Sequence, residues 1–466
     1  LDDIVMIEWL PPKSDLKRPR YRSLMSCIED KIENGTLKPG QRLPTHRELA
    51  YQLGVSIQTV SRAYSRLVEA GKIVGEVGRG SFVRPLAGAA SLPFSAQRAK
   101  RGTLDLALLK PVSSDIHKDA MKAALTRIAK ALPDELLFSF RASTIAKRHI
   151  PAIDQWLALC GVKRQEQTFI PTNGNTSAMT VALLSVAHSG DLIVAEKTGH
   201  HTLPSLCRSL GMRLKGLETD REGMLPTALN EACQAATIKA IYVMPRCSPT
   251  GNLMGEERRR ALVAVARQHG VAIIENDSWG PLNGINIPSF SQLAPERCYY
   301  FTSLTKCIAP GMRVGFLVAP ESAARTIQER HMLTNWMVTP LMLEIAAQMI
   351  ATGTAEQLLK WQRTALQARR DIAWDVLHSF DVRTNGLMAW LPLPDIGSEA
   401  RLVDLARNDD VLVAPGSTFS IGTLPSLPGV RISLGQKNPT DLRGGLQALA
   451  RLASEMRPAV TPADTL

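Results

Sequence analysis

Lys306 stands in the string Ser303-Leu304-Thr305-Lys306, directly after an apolar run, and Pro310-Gly311-Met312-Arg313-Val314-Gly315 follows it. A lysine alone says nothing, because most are solvated surface charges. Here two hydroxyls and one guanidinium lie close in sequence to the amine. Such donors suit a phosphate, and an arginine can grip one bidentately. A second string, Thr172-Asn173-Gly174-Asn175-Thr176, precedes a helical stretch, where free backbone N–H groups hold phosphate oxygens. The chemistry on offer is an amine nucleophile beside an anion cradle. Arg431, in Val430-Arg431-Ile432-Ser433, is a charge between apolar neighbours, which argues for a cleft rather than a solvated strand.

A different chemistry is concentrated near the start. The chain carries a net charge of +12, and between Pro11 and Leu86 it holds 14 Lys or Arg against 7 Asp or Glu. Arg98, Lys100 and Arg101 follow with no acid among them, so about a fifth of the chain holds +10 of the +12. Charge this local points to a polyanionic partner. Tyr21, Leu24, Met25, Ile28 and Ile32 recur at helical spacing. Thr45-His46-Arg47-Glu48 is a capping box that starts a second helix, which Gly54 stops. Ser56 caps a third, with Val60, Ala63, Tyr64 and Leu67 on its apolar side. Two short β runs, Lys72 to Val77 and Ser81 to Arg84, flank Gly78-Arg79-Gly80. Three helices and a hairpin make a winged helix-turn-helix over 11–86. Its third helix presents Ser56, Gln58, Thr59 and Arg62 for a major groove of double-stranded DNA. Arg47 on the second helix meets a phosphate or a base, and the wing tip Arg79-Gly80 reaches the minor groove or the backbone.

The elements that must position Lys306 come later. Residues 87–102 read as a linker. From 103 to 456 the pattern alternates β and α, with apolar runs at Leu192–Ala195, Ala240–Met244, Val271–Ile274, Tyr299–Phe301 and Val314–Ala319. Runs buried on both faces mark a mostly parallel central sheet. Long helical stretches over 321–351 and 354–379 lead to a small α+β segment at about 380–456. Its β runs fall near Met388–Leu391, Val411–Ala414 and Val430–Leu434.

The seven cysteines include no CxxC pair, so neither a disulfide framework nor a zinc site is expected, and a reducing compartment fits. No apolar run is long enough for a bilayer, and Leu1-Asp2-Asp3 lacks the pattern of a signal peptide. The expectation is a cytoplasmic protein with no membrane contact and no metal.

Two resemblances sharpen this. Leu43-Pro44-Thr45-His46-Arg47-Glu48-Leu49-Ala50, Leu53-Gly54-Val55-Ser56, Thr59-Val60-Ser61-Arg62-Ala63-Tyr64 and Gly78-Arg79-Gly80-Ser81-Phe82-Val83 resemble the GntR family of winged-helix regulators. The lysine string, with its Pro-Gly-x-Arg, resembles that of the fold type I pyridoxal-phosphate aminotransferases, and Pro415-Gly416-Ser417-Thr418-Phe419 resembles another of their turns. The fusion of the two resembles the MocR subfamily. The resemblance implies pyridoxal 5'-phosphate carried on Lys306 as an internal aldimine, with its phosphate at Asn175, Thr176, Ser303, Thr305 and Arg313. It implies that Arg431 binds a substrate α-carboxylate. It also implies a homodimer that binds DNA and senses an amino compound or the cofactor itself. The alternative is an active aminotransferase acting on an amino acid.

Three positions depart from that family, and all three touch the cofactor ring. Ser248, in Cys247-Ser248-Pro249-Thr250-Gly251, stands where the family has an asparagine for the ring 3'-oxygen. In Asn276-Asp277-Ser278-Trp279, aligning Trp279 with the family's tyrosine sets Asn276 against the ring nitrogen, and Asp277 serves only if the strand end is shifted by one. His200, with His201 second, replaces the aromatic residue over the ring. Without an aspartate the ring nitrogen is held protonated less firmly, so transamination is expected to be weak or lost.

Overall fold

The architecture comes from a computed structural model, in which residues 9–10, 16, 18–33, 36–37, 41–69, 72–76, 80–83, 102–138, 142–283, 287–422 and 427–456 are described. The chain divides into two units, Leu1–Ala96 and Gln97–Leu466. Arg79, and the expected linker up to Arg101, lie outside the described residues.

In the first unit, α1 (Arg20–Glu33) packs against α3 (Ile57–Glu69), with α2 (His46–Leu53) beside it. The capping box at Thr45 forms: Glu48 N donates to Thr45 Oγ1 at 3.3 Å and Thr45 N donates to Glu48 Oε2 at 2.7 Å. Gly54 ends α2 at φ +56°, a left-handed cap that costs glycine nothing. Ser56 Oγ accepts Thr59 N at 3.2 Å and so opens α3. The hairpin is β1 (Ile73–Glu76) antiparallel to β2 (Gly80–Val83). Leu24, Ile28, Leu49, Val60, Leu67, Ile73 and Val83 share one apolar core. The buried Tyr64 hydroxyl donates to Pro44 O at 2.9 Å.

The second unit is built on a sheet of seven strands among the described residues. They are β3 (Gln167–Thr172), β4 (Leu192–Glu196), β5 (Arg213–Leu217), β6 (Ile238–Val243), β7 (Ala272–Asn276), β8 (Cys298–Ser303) and β9 (Gly315–Pro320). Their order is β3-β9-β8-β7-β6-β4-β5, with β9 antiparallel to both neighbours and every other pair parallel. Strands β4, β8 and β9 are buried at every residue, as their unbroken apolar runs require. The two edge strands carry no such run. Arg213 and Lys215 break β5, and β3 carries Pro171, which an edge strand tolerates.

Two expectations need correction. The stretch 321–351 is not one helix: α5 (Ala324–Asn335) stops at Trp336, which sits at φ +63°, and α6 (Pro340–Ala351) restarts the chain. Pro340 disfavours helix at the residue before it yet suits the first helical position, so it forces this break and restart. The run 411–414 is also two pieces. Val411–Leu412 pairs in parallel with Leu104–Asp105, whereas Ala414–Pro415 joins a four-stranded sheet with Arg383–Asn385, Met388–Pro392 and Gly429–Ser433. Leu106 is therefore buried in the core of the small subdomain, with Ala373, Leu377, Ala389, Val430, Ile432 and Leu446. That pairing delivers residues 107–110 to the cleft described next. Among the described residues, no helix is long and apolar enough to cross a membrane.

Candidate functional site

Lys306 lies in the turn that follows β8, at the carboxyl-end edge of the sheet, and its Nζ donates to Leu109 O. Burial, reinforced by the Arg431 and Arg313 guanidiniums, lowers its pKa to about 8. The amine is thus tuned toward the neutral, nucleophilic form.

The anion cradle forms beside it. Helix α4 (Asn175–Val186) starts after Gly174, which has φ +84° and gives no side-chain cap. A Cβ on Gly174 would lie 2.9 Å from Arg313 Nη2, so the guanidinium rests directly on this turn. Arg313 holds a left-handed backbone at φ +51°, an uncommon conformation for a bulky residue and one that clusters at ligand clamps. Ser303 pairs with Gly315 across the sheet, and Gly315 abuts the Gly174 backbone. Four buried polar atoms here (Asn175 Oδ1, Ser177 Oγ, Ser303 Oγ and Thr305 Oγ1) have no partner among the described residues. Buried polar groups are rarely left so; with the free amides of α4 and Arg313 they fit a phosphate dianion. Thr176 is exposed at the same helix start.

The ring-facing candidates separate by sheet face. Asn276 shares a face with Tyr242 and Phe301, the side on which Tyr242 Oη contacts Met179 of α4. Its amide is engaged at both ends: Nδ2 donates to Tyr242 Oη at 2.7 Å, and Oδ1 accepts Ser278 N at 3.0 Å and Ser278 Oγ. Asp277 points to the opposite face, fully buried. Tyr300 Oη donates to its Oδ2 at 2.7 Å and Arg246 Nη2 lies 3.4 Å away. Burial raises its carboxyl above the usual range despite both partners. Ser248 Oγ and Thr250 Oγ1 are 2.9 Å apart in a buried turn. Trp279 is buried, and its carbonyl accepts Cys307 Sγ at 3.0 Å, one residue from Lys306.

Near Lys306 stands a column of rings. His200 stacks on His201 at 4.7 Å, His201 meets Phe419 edge-on at 6.3 Å, and the Arg431 guanidinium lies 4.4 Å over Phe419. Burial, followed by nearby cations, lowers His200 to about 4 and His201 to about 2, so both imidazoles are neutral. Thr202 Oγ1 and His200 Nδ1 are 2.8 Å apart. Arg431 Nη2 donates to Ala107 O at 3.2 Å, and burial lowers its pKa to about 9. Lys306, Arg313, Arg431 and the histidine pair thus converge, which suits a ligand with at least two negative groups.

Sequence reasoning missed the carbonyls of Ala107 and Leu109, which any residue supplies, and the hydroxyl of Ser177. It also missed Tyr242 and Tyr300, which sort Asn276 and Asp277 onto opposite faces.

In the first unit, Arg47, Ser56, Gln58 and Arg62 are exposed and Thr59 is half-buried. The Ser56 and Thr59 hydroxyls lie 2.8 Å apart, and the Arg62 guanidinium lies 4.3 Å over the Tyr21 ring. Gly80, at φ +114°, lies against Arg42.

Residues 113–449 match the family model described as aminotransferase class I and II. The chain belongs to the aminotransferase class I and II family. Its residues 20–83 match a second model, bacterial regulatory proteins of the gntR family, and the fusion of the two fits the MocR subfamily. An HTH-type transcriptional regulator of Bacillus subtilis, YdeF, is 26% identical over 97% of this chain and 98% of its own length. The probable rhizopine catabolism regulatory protein MocR of Rhizobium meliloti is 25% identical over 93% and 94%. The pyridoxine biosynthesis transcriptional regulator PdxR of Corynebacterium glutamicum is 26% identical over 76% and 78%. Among solved structures, a kynurenine aminotransferase of Pyrococcus horikoshii superposes with a TM-score of 0.70 at 21% identity. It covers 79% of this chain and 98% of its own. That match places the second unit of this MocR-type fusion in the aminotransferase fold.

Proposed function

We propose that this chain is a cytoplasmic, homodimeric, DNA-binding transcription regulator whose cleft holds pyridoxal 5'-phosphate on Lys306 and senses an amino compound or the cofactor itself. The names of its full-length relatives support the regulator reading, and the basic winged helix supplies a means of holding duplex DNA. The cofactor, when bound, supplies an aldehyde that condenses with amines and a ring that draws electrons from the captured amine. Lys306 provides the attachment. Arg313, Ser303, Thr305, Asn175, Thr176 and the first amides of α4 take the phosphate. Ser248 would serve the ring 3'-oxygen, Trp279 and His200 would bound the ring, and Arg431 would receive the effector's carboxylate.

One observation favours sensing over turnover. Asn276 has both ends of its amide engaged by Tyr242 and Ser278, while the adjacent carboxylate of Asp277 is tied to Tyr300 and Arg246 on the other face. With the amide of Asn276 rather than an acid set against it, the ring nitrogen is held protonated less firmly, and each pKa unit so lost is about 1.4 kcal/mol. Amine capture needs no such proton; exchange of the amino group does. The test has two arms. The full chain should turn yellow with pyridoxal 5'-phosphate, and its salt-sensitive retardation of the DNA upstream of its own gene should change when effector amines are added. Exchange with common 2-oxo acids should be slow or absent. Robust exchange with no effect on DNA binding would hand the site to the aminotransferase reading.

A further inference from the structure

The start of α3 carries an apolar side chain in an unusual setting. Ile57 is the first residue of the helix and is 51% exposed. A single exposed isoleucine needs no explanation by itself, but its neighbours give this one a context. The hydroxyls of Ser56 and Thr59 bond each other, and Ser56 Oγ caps the helix. Both are thus partly committed to the helix start, leaving Ile57 and Gln58 as the freest side chains of the first turn. One helical repeat on from Ile57 come Ser61 and then Ser65, both small and neutral. Glu69, at the far end, is the one acid in α3. From Ile57 to Ser65 this strip is therefore narrow and uncharged with an apolar tip, and the adjacent strip carries Gln58 and the arginine Arg62.

A major groove displays one apolar group on its base edges, the C5-methyl of thymine. We infer that Ile57 is a specificity-determining residue that packs on a thymine methyl, and that Gln58 and Arg62 supply the polar contacts beside it. This rests on the DNA-binding reading above and adds to it the base that one position selects. Gln58 is of the type that pairs with adenine, so the operator should hold thymine within a base pair or two of a Gln58-contacted position.

The experiment uses the full chain and duplexes it selects from a random-sequence pool. Each thymine in the selected site is replaced singly by deoxyuridine, which removes the methyl and nothing else, and affinity is read by fluorescence anisotropy. One thymine per half-site should weaken wild-type binding about fourfold on losing its methyl. Ile57→Ala should bind the thymine and uracil duplexes equally, with an unchanged melting temperature. Ile57→Val, one methylene smaller, should keep an intermediate preference and carries the attribution if the alanine variant melts early. Uniform tolerance of uracil by the wild type, or a methyl preference that survives Ile57→Ala, overturns the inference. Absence of salt-sensitive binding to any duplex would instead remove the DNA-binding reading itself, and this inference with it.

Discussion

The two units carry their function in opposite ways. In the winged helix the candidate residues protrude. Arg47, Ser56, Gln58 and Arg62 are exposed, and the core beneath them is apolar apart from the bonded Tyr64 hydroxyl. In the cleft the candidates are buried, and their chemistry comes from burial: Lys306 falls to about 8 and His200 to about 4. The cleft also holds its own strain, with Arg313 at φ +51°. A surface that recognises a polyanion can be altered without loss of fold. A cleft that makes an amine reactive uses the same atoms for fold and chemistry.

Breaking that contrast starts with the largest effect. Lys306→Ala should abolish covalent capture of pyridoxal 5'-phosphate: the protein stays colourless at the wavelength where the wild type absorbs, and borohydride fixes no label. A labelled variant would move the attachment to another lysine. Gly174→Ala comes next. The added methyl meets Arg313 Nη2 at 2.9 Å, on a backbone that only glycine adopts with ease. A stability loss of about 1–3 kcal/mol is expected together with weaker capture of the cofactor. Wild-type affinity in a stable Gly174→Ala protein would show that Arg313 is not clamped on this turn.

The pH profile sharpens the comparison on the chemical side. Only the neutral amine attacks an aldehyde. Below its pKa of about 8 the neutral fraction of Lys306 falls close to tenfold per unit. Capture should therefore speed up about fifty-fold between pH 6 and pH 8 and less than about twofold above that. His200 and His201, already neutral, add nothing over this range. Rates of capture followed by absorbance test this; a rate that still climbs close to tenfold per unit at about pH 9 would mean an ordinary, unburied lysine.

The same contrast decides what was legible in the sequence. The head was readable nearly to the residue, because a capping box, a left-handed glycine and a serine cap are local signals that name their own helix ends. The central strands of the large sheet were readable because burial on both faces leaves an unbroken apolar run. Edge strands Gln167–Thr172 and Arg213–Leu217 left none, since among the described residues one side of each meets no neighbouring strand of the sheet. Lys306, Arg313 and Arg431 could be named from their strings, but what surrounds them could not. The carbonyls of Ala107 and Leu109 come from a segment whose place depends on pairing between Leu104–Asp105 and Val411–Leu412, some three hundred residues apart. The division of Asn276 from Asp277 depends on which face Tyr242 and Tyr300 occupy, which only the sheet register determines.

The smallest expected effect tests whether head and cleft are separable. Thr45→Ala removes the hydroxyl that accepts Glu48 N and loosens the return bond from Thr45 N to the Glu48 carboxylate, which now lies below its usual pKa range because of that amide. Loss of an N-cap costs about 1 kcal/mol, so the head should melt a few degrees lower in circular dichroism. Cofactor absorbance and its pH profile should stay as in the wild type, because the two hydrogen bonds of this cap join Thr45 and Glu48 within the first unit. Arg47 sits in the same first turn, so duplex affinity should fall only as the melting point is approached. Were cofactor capture to weaken in step with the head, the two units would share one folding transition, and exposure in the first could no longer be read as freedom from the second.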